Sequence, residues 1–432
     1  KALADGLYAT EVDLSDANGI SPSMINKTLA ILKLPEEVLE EHFLDTHDWT
    51  VARFLLAAEL AIRKGAAAEC ELLADGVLSE LSQARHRALV LPSAINLYVV
   101  VGNASKARQY LDEYTDAVYA QGASAEAKQK LPHLRALVAR AEGDSYGVID
   151  ALQPVVAVET ARPDLWRLLA EAFSQTDQPR RAVDAMVQYL RLRPWDNAMM
   201  SQLAREYLRL QDWTRAFETA RLAQSLYPED VRLRLLRIET GIHLAAEPGT
   251  PDLARLEELD QELSDLRKNE DNARRVDLRV LQAIIGIYMA QAETDADAKE
   301  QKLAEVEQEL RQAIEQCDEP LRAEMQLVRL YSQKKEMSKA IEECQTACRR
   351  HPDSAEPWLS LANLHVANGD VTSAIRSLEE ADGAVAGEWE KRSITIRRAV
   401  LELTRGNRAA GIRLLNDLAA RDPREVRART LL

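Results

Sequence analysis

The segment Glu41-His42-Phe43-Leu44-Asp45-Thr46-His47 sets two imidazoles beside carboxylates, the residue types from which metal sites and acid–base pairs are built. Five residues turn a helix through about 500°, which throws the two rings off a common face. Ordinary surface histidines are the better reading. Cys344 and Cys348, four apart, do share a helical face, but without His or Asp partners they read as small core residues. The remaining histidines are scattered, and the many carboxylates recur along exposed helical faces. No Gly-rich phosphate cradle, nucleophile elbow or paired-His zinc motif is present. An enzyme is therefore not expected, nor a cofactor, nor a bound metal. Asn26-Lys27-Thr28 fits a glycosylation acceptor, a triplet that also arises by chance.

The elements that would position any site are helices. Ala, Leu, Glu and Arg dominate, aromatics make up 5%, and only 16 Gly and 15 Pro punctuate 432 residues. The formal charge of −15, from 55 basic and 70 acidic groups, repels a phosphate backbone, so nucleic acid is not an expected partner. That charge is uneven. Residues 1–50 carry 3 basic and 10 acidic groups and residues 252–319 carry 9 and 19, whereas residues 391–432 carry 11 and 4. Four cysteines (Cys70, Cys317, Cys344, Cys348) build no disulfide framework. The longest near-apolar stretch, Ala88–Val101, is too short to cross a bilayer and contains Pro92 and Asn96, so this segment is not expected to insert in a membrane.

Internal spacing carries the strongest signal. Leu169 and Leu203 lie 34 apart, as do Ala170 and Ala204, Phe173 and Tyr207, Ala182 and Ala216, and Pro194 and Pro228. The same shift relates Leu327 to Leu361, Tyr331 to His365 and Ala340 to Ala374, and Trp166 and Trp358 hold the same place in their units. Small residues let two helices approach, aromatics fill the wider gaps, and Pro194, Pro228 and Pro352 stop each second helix. A Gly-Asx turn recurs at Gly102-Asn103, Gly143-Asp144, Gly369-Asp370 and Gly406-Asn407, with Gly65 at the same register. Gly suits the left-handed position after the first helix, and Asx caps the second.

These residues resemble the tetratricopeptide repeat family. The resemblance implies an all-α, right-handed α-α superhelix, a solenoid of about ten helical pairs. It covers 163–230 and 321–388 well, and weaker copies are expected near 51–84, 88–121, 129–161 and 392–425. Residues 1–50 read as a capping or junction segment, 51–162 as degenerate repeats and 321–432 as repeats cut short. Residues 231–320 depart from the pattern, with longer acidic pairs expected at 231–245 with 251–268 and at 273–292 with 297–316. The stripe Leu253, Leu256, Leu259, Leu263, Leu266 and its counterpart Leu303, Val306, Leu310, Ile314 keep the helical period. Those helices are expected either to project from the solenoid as a functional protrusion or to be a mere insertion. Glu247-Pro248-Gly249-Thr250-Pro251 is the candidate hinge. A start on Lys1 and a helix barely begun after Pro423 suggest a piece of a longer protein.

The resemblance also implies a binding surface on the first helix of each pair. Its groove positions fall on Arg167, Glu171 and Gln175, then Ser201, Arg205 and Arg209, then Arg232, Glu239 and His243, and later on Arg329, Gln333 and Asn363. Arginines aimed into one groove suit acidic side chains or a C-terminal carboxylate. The competing expectation is that they neutralise local acids, Arg205 with Glu206 and Arg209 with Asp212. The family's carboxylate clamp needs Lys with Asn one turn later. Asn363 follows Leu359 and Arg167 precedes Glu171, so a chaperone-tail adaptor is not expected. The leading expectation is a bacterial protein-interaction scaffold, cytoplasmic or periplasmic, holding a protein or peptide, with an acidic segment favoured and self-association left open. The alternative is a regulatory or envelope-assembly region, in polysaccharide or protein export, of a larger protein with a membrane or enzymatic domain.

Overall fold

A computed structural model describes residue 78 and residues 84–119, 125–158, 160–246, 251–269, 275–317, 319–385, 387–421 and 426–431. The expectations for His42, His47, Cys70, Gly65, the 26–28 triplet, the first fifty residues, the 51–77 part of the first weak copy and the hinge at 247–250 lie outside these. The described residues form helices and no strand, in two compact units, 1–144 and 145–432. The first unit holds α1 (Ala84–Val101), α2 (Ala104–Tyr119) and α3 (Ala125–Ala141), packed around Leu91, Ile95, Leu97, Tyr98 and Leu111. No described helix is long and apolar enough to cross a membrane.

The second unit is a succession of paired helices. It begins with α4 (Ser145–Val156), α5 (Pro163–Gln175), α6 (Pro179–Leu192), α7 (Asn197–Arg209) and α8 (Trp213–Leu226). It continues through α9 (Val231–Ala245), α10 (Leu253–Arg267), α11 (Val276–Ala292) and α12 (Ala296–Gln316). It closes with α13 (Leu321–Gln333), α14 (Met337–Arg350), α15 (Ala355–Ala367), α16 (Val371–Ala384), α17 (Glu388–Thr404), α18 (Arg408–Arg421) and α19 (Val426–Leu431). The period sets this order. Ala170, Ala182, Ala204 and Ala216 are buried where neighbouring helices touch, and α6, α8 and α14 each end two residues before Pro194, Pro228 and Pro352. Cys317, Cys344 and Cys348 are buried thiols, and Cys344 donates to the Pro357 carbonyl (3.3 Å). The adjoining Cys348 sulfur and burial both push the Cys344 thiol up.

Seven of the described turns repeat one hydrogen-bond scheme. Residues 102, 143, 177, 211, 335, 369 and 406 all have φ between 58° and 89°. In each turn the next amide reaches back five residues, as in Asp212 N to Tyr207 O (2.9 Å) and Asp370 N to His365 O (2.8 Å). This satisfies carbonyls that a helix end otherwise leaves open. The surprise is residue type: Asp177, Gln211 and Lys335 adopt the left-handed conformation without being glycine. An L-residue there carries about 1–2 kcal/mol of strain, partly offset by the greater unfolded-state freedom of Gly. Lys335→Gly should therefore raise stability by about 0.5–1 kcal/mol and Gly369→Ala should lower it by about 1 kcal/mol. Thermal unfolding checks both signs.

A second recurrent device straddles the same turn. Arg181 lies over the Phe173 ring (4.2 Å), Arg215 over Tyr207 (5.1 Å), Lys339 over Tyr331 (5.5 Å) and Lys106 over Tyr98 (5.3 Å). In all four the cation follows the aromatic by eight residues, so the first turn of the second helix closes on the last turn of the first. Each contact contributes about 0.5–1 kcal/mol at such exposed sites.

The long acidic helices run within the succession of pairs and do not project. Leu256, Leu259 and Leu263 of α10 pack with Ile238 and Ile242 of α9 and Leu281 and Ile285 of α11. Leu303, Val306 and Leu310 of α12 join a core with Leu327 and Tyr331 of α13. A continuous leucine stripe demands partners on both sides, which a projecting hairpin would leave in water. Even the early α12 residue Glu300 is held, by Lys334 (3.0 Å).

Candidate partner-binding groove

First helices carry the candidate residues at fixed places. Arg167 and Ser201 are fifth in α5 and α7. Glu171, Arg205, Glu239, Arg329 and Asn363 are each ninth in their helices, and Gln175, Arg209, His243 and Gln333 thirteenth. Leucines and alanines on the opposite side of α5, α7 and α13 are buried, which turns the ninth position outward: Glu171, Arg205, Arg329 and Asn363 are all exposed.

Local bonds occupy several of these groups. Gln175 accepts from Ser145 (2.7 Å), and Ser201 donates to the Asn197 carbonyl of its own helix (2.8 Å). Arg232 folds back on Asp230 (3.2 Å). Arg209 is neutralised, by Asp177 and by Glu206 (3.5 Å); Asp212 belongs to Arg215 (2.5 Å) and caps α8. The expected pairing with Asp212 fails because that carboxylate turns forward to the helix it starts. Nor does Arg205 meet Glu206, which faces Ser174 (2.9 Å) and Arg209. Arg205 has no hydrogen bond or ion pair among the described residues, and Arg329 has none either.

Residues far apart in the chain converge across α9, α11 and α13. Arg322 pairs with Asp277 and with Glu239 (3.7 Å), tying three first helices together. His243 stacks on Trp213 (5.2 Å between centroids). Burial, then the nearby Arg329 charge, hold the His243 imidazole below its ordinary value, so it is neutral at pH 7. Arg322 and Trp213 escaped the sequence reading, though Arg322 was findable as the second residue of a first helix. Among the described residues, no group of three or more His, Cys, Asp or Glu side chains is placed to hold a metal ion.

The seven left-handed turns set the register: 143, 177 and 211 are 34 apart, as are 335 and 369. Residues 265–432, less than half the chain, match the family model described as the tetratricopeptide repeat protein 21 ARM repeat. The described residues fold as helical pairs of the tetratricopeptide type. No curated protein matches it. Among solved structures it is similar to a tetratricopeptide protein of Thermus thermophilus, at 16% identity over 48% of this chain and 99% of that one, with a TM-score of 0.36. It is also similar to one from Parabacteroides merdae (13%, 62% and 96%, TM-score 0.41). A third is the C-terminal part of a repeat protein from Cytophaga hutchinsonii (14%, 61% and 95%, TM-score 0.43). Tetratricopeptide-type repeats generally mediate protein–protein interactions and are typically non-enzymatic scaffolds.

Proposed function

We propose that the second unit is a scaffold that holds an acidic segment of a partner protein along the outward row of its first helices, with Arg205 and Arg329 reading the charge. The observation that carries this reading is that both guanidinia are exposed and unpaired in a protein whose acids outnumber its bases by 15. In such a chain a stray cation readily finds a carboxylate, as Arg209, Arg215 and Arg232 do. Glu171, Glu239 and Asn363 in the same row would read the partner's own polar groups.

The test is affinity capture with the protein as bait, beside an Arg205→Glu/Arg329→Glu variant whose fold is checked by circular dichroism. A hydrogen bond to a charged group contributes about 1.5–3 kcal/mol, so losing two should weaken capture by about a hundredfold or more. Capture undiminished by the double reversal sinks the row as the site and moves attention to the acidic outer faces of α10 and α12.

A further inference from the structure

The loop 193–196, between α6 and α7, presents an indole that no core uses. Trp195 is 67% exposed. Its loop is nevertheless held from both sides. Tyr189 donates to Asp196 (2.6 Å), Asp196 accepts from the Met199 amide (2.9 Å), and the Asp196 amide donates to the Arg193 carbonyl (3.3 Å). From the next pair, Tyr227 donates to the Trp195 carbonyl. The backbone that carries this exposed aromatic is thus held in place, while the ring itself costs apolar exposure.

Beside it opens a recess of about 510 Å³, lined by Arg167, Tyr189, Arg193, Trp195, Asp196 and Asn197 together with the start of α5. Two cations meet there. Neither the Arg167 nor the Arg193 guanidinium makes a hydrogen bond or ion pair among the described residues, although both act through space on the Tyr189 hydroxyl. The carboxylates of the recess are already engaged: Asp164 with Arg162 (2.7 Å), and Asp196 with Tyr189 and the α7 cap. Arg167 acts on Asp196 only through space, so what is left without a direct partner is two guanidinia and one indole face.

The geometry points to an anchoring site for an acidic peptide segment of a partner protein, in which an Asp or Glu side chain is gripped by Arg167 and Arg193 while its neighbour lies on Trp195. This deepens the scaffold reading and rests on it, but Arg193 and Trp195 belong to the inter-pair loop and not to the ninth-position row. Arg and Trp are the residue types that carry most binding energy at protein interfaces, and a guanidinium fork matches a carboxylate in the plane. A nucleic-acid strand is disfavoured because the excess acids repel a polyanion, whereas one carboxylate within a Debye length responds to the local pair of cations.

A phage-displayed random peptide library panned on the protein supplies the probe. The enriched peptide, made with a fluorescein tag, is titrated by anisotropy. Expected are acidic residues in the enriched sequences and affinity lowered by about tenfold or more in Arg193→Glu and in Trp195→Ala. Replacing the peptide's Asp and Glu by Asn and Gln should weaken binding by a similar factor. Arg221→Glu, on the outer face of α8 and paired with Glu218 (2.5 Å), should leave binding unchanged. Circular dichroism and unfolding midpoint confirm that each variant folds. Enrichment of no peptide, enrichment of peptides without acids, or binding indifferent to Arg193→Glu and Trp195→Ala overturns the site. So does single-stranded RNA that binds as tightly. Weakening by Arg205→Glu/Arg329→Glu but by neither loop variant removes the recess and leaves the row standing. Weakening by the loop variants alone supports the recess and removes the row.

Discussion

Replacing Glu309 by Ala should lower stability by about 3 kcal/mol. Glu309 of α12 accepts from Arg267 of α10 (2.7 Å) and from Arg279 of α11 (3.2 Å), so one carboxylate serves two cations. Arg279 is the critical partner because its side chain is only 8% exposed. Without Glu309 it would keep the Gln316 amide oxygen (2.7 Å) but no opposite charge, in a place where water cannot solvate it. Urea unfolding of the single variant checks the size. An Arg279→Met/Glu309→Leu double variant should recover most of the loss, since an apolar pair leaves no buried charge behind. A loss below about 1 kcal/mol for Glu309→Ala, typical of surface pairs, would show that Arg279 stays hydrated.

Leu263→Ala should cost about 3 kcal/mol as well, through the cavity it leaves. Leu263 is fully buried in the core shared by α9, α10 and α11. The measurement that matters is local: amide hydrogen exchange should accelerate in those three helices first, because each pair in a repeat array leans chiefly on its neighbours. Were α10 an appendage, the same truncation would cost little and leave α9 and α11 protected.

The two predictions mark the border of what the residues reveal before folding. Period and punctuation located the helices closely: the expected pair 231–245 with 251–268 appears as Val231–Ala245 and Leu253–Arg267. What the period cannot show is whether a long amphipathic helix has a partner on each side. That depends on stripes from three helices meeting, as Leu263, Ile238 and Leu281 do. The turns at 177, 211 and 335 escaped notice because Gln and Lys give no local signal for a left-handed backbone and Asp gives only a weak one; the 34-residue shift from a glycine turn points to them. The cation–aromatic spacing of eight was present in the sequence at all four places but is invisible unless the turn between the helices is known.

The candidate surface was less legible than the fold. Position within a first helix placed Arg205, Arg329 and Asn363 outward, yet charge pairing is settled by rotamers and by neighbours about one repeat away. Arg209 illustrates this, meeting Asp177 in the preceding turn and not the acid three residues ahead. The recess at Trp195 needed the loop itself, since a consensus view treats that position as mere connection.

Three of the ion pairs between successive helical pairs share a reach. Arg209 with Asp177 and Arg311 with Glu343 are 32 residues apart, and Lys334 with Glu300 is 34. They act as couplings between adjacent links, while the cores and turns hold each link together from within. Salt screens exposed pairs far more than apolar burial. Ionic strength therefore tunes how many links of the second unit come apart at once more than it tunes how firmly any one of them is folded, and a bound acidic segment lying across several links would restore the cooperation that salt takes away.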